Sequence, residues 1–204
     1  MKSALRESTK HIELWLRRMG RDHSISPDQA KNGRQAREDI EALRSLADLL
    51  PADEWTQRLV PDTNALIDNP DLSIYTDQVG GRYLVHVMPI VMRELDDLKR
   101  SGRTEELRNA AKRADRRLKG YRTNGDVRAA ARVAGDTHVR FEHADPQSDD
   151  LPSWLDLDVP DDRLIAAVLL LQSEHPGSVV TVVTGDLNLQ TKLAAIGLPF
   201  LEQD

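Results

Sequence analysis

The sequence contains no cysteine. Disulfides and thiolate metal sites are therefore excluded, and a reducing cytoplasm is the expected setting. Aromatic residues are scarce at 4%, although hydrophobic residues together reach 39%. The core must be built mainly from Leu, Val, Ile and Ala. No apolar run approaches the roughly 18 residues that a membrane-spanning helix needs. The opening residues, Met1 to Glu7, contain no hydrophobic signal region. Acid is in excess, with a net charge of −6. That argues against a surface-wide nucleic-acid binder but leaves local patches open. A chain of 204 residues has room for one ordinary domain and an appendage.

Residues 1–57 read as a helical N-terminal extension. Leu5, Ile12, Trp15, Leu16 and Met19 recur at helical spacing, with Gly20 as a stop. Ser26, Pro27 and Gln29 predict a second helix start: Ser26 as N-cap, Pro27 in the first turn, Gln29 completing a capping box. Ala36, Ile40, Leu43, Ala47 and Leu50 make one apolar stripe, and Pro51 ends it. This extension shows no catalytic constellation. It offers a packing face for the main domain, for a second copy in a homo-oligomer, or for another protein.

Residues 58–204 have a different texture. Leu59 and Val60 form a short apolar strand that runs into Asp62, followed by Thr63 and Asn64. A carboxylate at the end of such a strand lies at the edge where open α/β sheets bind ligands. The simpler reading of Asp62 is a helix N-cap. A second apolar strand spans 83–88, and Pro89 then opens a helix in which Val91, Leu95 and Leu98 share a face. Glu94 lies beside that face. His86, inside the apolar strand, reads as a hydrogen-bonded core or edge residue. An apolar helix near 160–171 starts with Asp161 and Asp162; one acid suffices for a cap, which leaves the other free. The β-branched run 179–184 predicts a central parallel strand, and it too ends in an acid, Asp186. Phe200 and Leu201 suggest a short last strand. Period-two alternation over 127–133 and 137–143 predicts a hairpin around 134–136.

Between 99 and 132, twelve bases face four acids, a local net charge of +8. Thr104 is placed to cap a helix ending before Gly120, with Leu107, Ala110, Ala111, Ala114 and Leu118 on its buried face. Arg108, Lys112, Arg116 and Lys119 form a cationic row along it, the pattern expected of a contact with a phosphate backbone.

Two strand-end acids, one early-helix acid and one helix-start acid converge on one rim if the sheet is mostly parallel. Crowded carboxylates call for a cation, and an all-oxygen set without cysteine favours Mg²⁺ or Mn²⁺. The segments around Asp62–Leu66, Pro89–Lys99, Asp161–Ala167 and Val183–Leu189 resemble the PIN domain family of metal-dependent ribonucleases. The likeness is greatest to the PIN domains that precede PhoH-type ATPases, with VapC-like toxins as relatives, and covers residues 58–204. No Gly-x-x-x-x-Gly-Lys-Ser/Thr phosphate loop occurs in the sequence, and the helical extension lies outside the common pattern. The resemblance implies a three-layer α/β sandwich with a mostly parallel sheet. It implies that Asp62, Glu94, Asp162 and Asp186 hold Mg²⁺ or Mn²⁺ and are catalytic. Thr63 or Asn64 would orient the first acid or a water, Asn188 would brace the last acid, and Asp161 would cap or act from the outer sphere. The implied activity is endonucleolytic hydrolysis of RNA, single-stranded RNA being the expected substrate, with 5′-phosphate products. A toxin paired with an antitoxin and an RNA-processing enzyme both fit. The alternative is a non-catalytic PIN-fold module that binds RNA or protein. A haloacid-type phosphatase would need a second Asp at position 64, which is Asn.

Overall fold

The computed structural model describes residues 28–49, 51–147, 152 and 154–202. Contacts divide the chain into two units, Met1–Ala52 and Asp53–Asp204. The first expected helix, with Leu5 to Gly20, lies outside the described residues, as do Ser26 and Leu50.

In the first unit, helix α1 spans Gln29–Ala47. Its N-cap is Asp28, whose Oδ1 accepts from the Ala30 and Lys31 amides at 2.9 and 3.3 Å. The observed N-cap thus falls two residues after the expected Ser26, because the Asp28 carboxylate satisfies the free amides itself. Of the expected stripe, Ala36 and Leu43 are half-buried but Ile40 is exposed.

The second unit holds a six-stranded sheet. In chain order its elements are β1 (Gln57–Pro61), α2 (Thr63–Asp68), α3 (Thr76–Val79), β2 (Arg82–Val87), α4 (Pro89–Ser101), α5 (Glu105–Tyr121), a 3₁₀ turn (Arg122–Asn124), β3 (Ala131–Ala134), β4 (Asp136–Phe141), α6 (Pro160–Glu174), β5 (Val179–Val183), α7 (Leu187–Ile196) and β6 (Phe200–Leu201). The strand order is β3-β4-β2-β1-β5-β6. Among the described residues, the β3–β4 pair is antiparallel and the other pairs are parallel.

The central strands are buried almost throughout, as a sheet covered on both faces requires. Leu59, Val60, Val85, Ile165, Val182 and Leu193 lie at the heart of the core. The paucity of aromatics is felt here: Tyr75 and Tyr83 are the bulkiest fully buried side chains. Pro89 opens α4 and Pro160 opens α6, positions where the missing amide proton costs nothing.

Two boundaries differ from expectation. Helix α5 runs through Gly120 to Tyr121, whose ring is buried and holds the last turn in place. The hairpin around Gly135 forms, but its first strand begins only at Ala131. Ahead of it, Asp126 Oδ1 accepts from the Arg128 amide at 2.9 Å and forms a local turn, although the Val127 carbonyl still accepts from the Phe141 amide at 2.7 Å.

From β1 the chain steps to β2 on one side, and after β4 it crosses to β5 on the other side of β1. The strand order therefore reverses at the β1/β5 pair. Crevices at the carboxyl ends of strands flanking such a reversal are where open α/β sheets bind ligands.

Candidate functional site

A cavity of about 330 Å³ opens at that reversal. Asp62, Thr63, Asn64, Glu94, Asp97, Asp161 and Asp186 supply its polar lining. Ile90, Val91, Leu98, Leu164 and Leu189 supply its apolar wall. Among the described residues, none that lines the cavity is cationic.

Asp62 follows the last residue of β1 and is the N-cap of α2. Its Oδ1 accepts from the Ala65 amide at 2.7 Å, and its Oδ2 accepts from Thr184 Oγ1 at 2.5 Å. The cap reading and the site reading are therefore compatible, since an ionised carboxyl has about four acceptor positions. Asp186 repeats the arrangement one strand away. It caps α7, its Oδ1 accepting from the Asn188 and Leu189 amides at 2.7 and 3.1 Å. Thr184 ties the two together: its hydroxyl donates to Asp62 and accepts from the Asp186 amide at 3.0 Å.

Glu94 reaches the cavity from α4, one turn past Pro89, and accepts a short hydrogen bond from Thr63 Oγ1. Thr63 thus orients the second acid and leaves the first to Thr184. Burial pushes the Asp62 carboxyl above its ordinary value; hydrogen bonds from Ala65 and Thr184 oppose this, while repulsion from Asp186 and Asp68 adds to it. Burial likewise raises Glu94; the Thr63 bond opposes the rise, and the charges of Asp161, Asp62 and Asp97 reinforce it.

The adjacent acids at the start of α6 part company. Asp161 lines the cavity. Asp162, the residue expected there, accepts from Lys192 Nζ at 2.7 Å and from the Asp156 amide at 3.1 Å. The Lys192 hydrogen bond, helped by the Asp156 amide, holds the Asp162 carboxyl below its ordinary value. Lys192 also stands 3.5 Å from Asp161, so it bridges the pair. Successive residues on a helix point about 100° apart, so the two acids face different ways, and Lys192 on α7 lies nearer to Asp162.

Asn64 lines the cavity. Asn188 contributes its backbone amide to Asp186. Thr184 and Asp97 were not anticipated. Thr184 could have been noticed as the hydroxyl two residues before Asp186, and Asp97 as the acid one turn after Glu94.

The cationic row on α5 is only partly free. Arg108 donates to the Gly102 carbonyl at 2.5 Å, and Lys119 pairs with Asp115 at 2.7 Å. Lys112 and Arg116 are exposed.

The donor set at the cavity is oxygen only, drawn from four separate elements, and suits hard divalent ions. Among the described residues, no three acidic or imidazole groups are gathered about a single point, so the acids form an open rim and not a closed cage. Also among the described residues, no helix is long and apolar enough to cross a membrane.

No curated protein matches the chain. A family model of the PIN domain matches residues 59–202, which takes in the whole sheet from Leu59 onward and every residue of the cavity. With strand-end acids, topology and family model in agreement over more than half of its length, the chain belongs to the PIN domain family, whose members are typically nucleases.

Proposed function

We propose that this protein is a Mg²⁺- or Mn²⁺-dependent endoribonuclease. The observation that carries the reading is the meeting of Asp62, Glu94, Asp161 and Asp186, from four elements, at one cavity with no cation in its lining among the described residues. Two of these carboxyls are pushed upward partly by the charge of the others, the electrostatic condition that a divalent ion relieves. Asp62, Glu94, Asp161 and Asp186, which line the cavity as an open rim, would draw together to hold the ion, with Asp162 beside them on Lys192. A bound divalent ion supplies charge neutralisation at the scissile phosphate and at the leaving oxygen.

The chain's own residues do the rest. Thr184 and the Ala65 amide fix Asp62, Thr63 fixes Glu94, and the α7 amides fix Asp186. Ile90, Val91, Leu164 and Leu189 give the cavity an apolar wall beside the acids. The cations of α5 hold the substrate backbone.

The test is cleavage of mixed single-stranded RNA with Mg²⁺, with Mn²⁺ and with chelator, run beside Asp62→Asn. Metal-dependent cleavage that falls about 10²-fold or more in the variant is the expected result. Equal cutting by Asp62→Asn would assign the activity to a contaminant and leave a non-catalytic binding module. A matching single-stranded DNA substrate run in parallel tells RNA from DNA chemistry.

A further inference from the structure

A second cleft, of about 580 Å³, lies away from the acidic cavity and shares no lining residue with it. Arg113, Arg116, Arg117, Gly120 and Tyr121 of α5 line it, with Asn124 of the 3₁₀ turn, Val133 of β3, and Pro70. Positions 113, 116, 117, 120, 121 and 124 follow the i, i+3, i+4, i+7 rule, so they form a single helical stripe. The row Arg108, Lys112, Arg116, Lys119 crosses this stripe only at Arg116.

The three guanidinium groups of the stripe differ in how they are held. Arg117 is anchored: its Nε donates to Tyr121 Oη at 3.1 Å, Nη2 lies 3.3 Å from Asp71, and the guanidinium sits 5.4 Å from the centre of the Tyr121 ring. Tyr121 is itself buried. Arg113 and Arg116 have no acidic partner among the described residues, although the protein as a whole is acidic. They stand one helical turn apart, about 5 Å of rise. Two unpaired planar forks beside a fixed third suit successive phosphates of a chain, because a guanidinium matches phosphate oxygens in pairs.

We propose that this cleft is a phosphodiester-binding exosite that grips single-stranded RNA at a distance from the cavity where it is cut. Naming RNA as the occupant rests on the nuclease reading; the cationic cleft itself does not. The acidic cavity repels a polyanion, so retention of the substrate falls to another surface. In the arginine cleft, side-chain charge, donors without an acidic partner among the described residues, and concavity coincide. Affinity should therefore grow with RNA length up to the point where one strand spans both sites.

Fluorescence anisotropy on the full-length protein tests this, with chelator present so that nothing is cleaved. The probes are labelled oligouridylates, one of about four nucleotides and one of about twenty, the range over which single-strand sites are filled. Wild type should bind the long probe far more tightly than the short one. Arg113→Ala with Arg116→Ala should weaken the long probe about tenfold or more and lower the salt slope by about 1.4, the loss of two single-strand phosphate contacts. Gly120→Glu gives an independent check that leaves the arginines in place: a Cβ there meets nothing within 4 Å, so the variant adds an acid at the cleft lining where the first side-chain atom has room. It too should weaken binding of the long probe. Unchanged affinity and salt slope in both variants would overturn the proposal. So would displacement of the long probe by polyglutamate as readily as by unlabelled RNA, which would mark an acidic polypeptide as the occupant. Binding is read without metal or cleavage, so a failed nuclease assignment leaves this result readable, and the reverse holds.

Discussion

Two parts of the sheet bury charge, and they do so in opposite ways. Below the cavity, Arg58 on β1 is only 3% exposed. Its guanidinium meets Asp53 at 2.7 Å, Ser178 Oγ at 3.0 Å and His86 Nε2 at 2.9 Å. Because Arg58 can only donate, His86 must accept at Nε2 and carry its proton on Nδ1, 2.7 Å from Glu142 Oε1. His175 Nδ1 meets the other Asp53 oxygen at 2.7 Å. An acid thus sits beside each base from Glu142 to His175: Glu142 beside His86, and Asp53 between Arg58 and His175. At the cavity, by contrast, carboxylates face carboxylates. One sheet thus holds a compensated buried network beside an uncompensated one, and at the second an external cation would relieve the repulsion.

The largest effect should come from breaking the compensated side. Arg58→Met leaves Asp53 without its main partner and His86 without its donor. It should cost about 3–5 kcal/mol, read by urea unfolding, as expected when one member of a buried ion pair is removed. A loss under about 1 kcal/mol would mean that the network is far more solvated than its geometry indicates.

Neutralising the other side should have the reverse sign. In chelator at neutral pH, Asp62→Asn and Glu94→Gln should each raise Tm, by about 2–4 °C, since each removes repulsion. Added Mg²⁺ or Mn²⁺ should raise the Tm of the wild type and leave that of Asp62→Asn where it was.

The pH profiles should diverge too. At Asp53 burial alone would raise the carboxyl, but the Trp55 amide, Arg58 and His175 outweigh it and hold it well below the usual range. Its stabilising contribution is complete above the unfolded value of 3.8 and is lost as pH falls below that toward the folded value. The raised carboxyls of Asp62 and Glu94 act oppositely. In metal-free protein, stability falls as pH climbs from their unfolded values of 3.8 and 4.5 toward the higher folded ones. Asp62→Asn should flatten that decline and leave the acid limb intact; a parallel shift of the whole curve would contradict this division.

The smallest effect sharpens the comparison at its border, where Lys192 is the one cation that reaches the adjacent acids of α6 among the described residues. Lys192→Met should tighten Mn²⁺ binding about two- to fivefold by calorimetry, a modest gain because the pair is partly exposed. Weaker Mn²⁺ binding would show that Lys192 serves chiefly to hold α6 and α7 together.

Much of this was legible in the sequence where neighbouring residues decide the outcome. The strand-end positions of Asp62 and Asp186, the proline-led helices and the parallel sheet follow from local pattern. That Asp161 lines the cavity while Asp162 meets Lys192 does not, because Lys192 lies thirty residues from Asp162. Arg58 gave no signal, since Ser178 lies 120 residues along the chain. The α5 cations were visible, but which of them are free depends on Asp115 and the Gly102 carbonyl, and both are matters of tertiary contact.

The borders of the sheet carry a last consequence. One is β6, two residues long, and the other is β3, four residues whose register shifts between Arg132 and Ala134. An incoming strand finds no long straight row of amides and carbonyls to copy at either margin. Concentrated native protein should accordingly resist templated fibre growth, and any such aggregation would have to begin from chains that have already come apart.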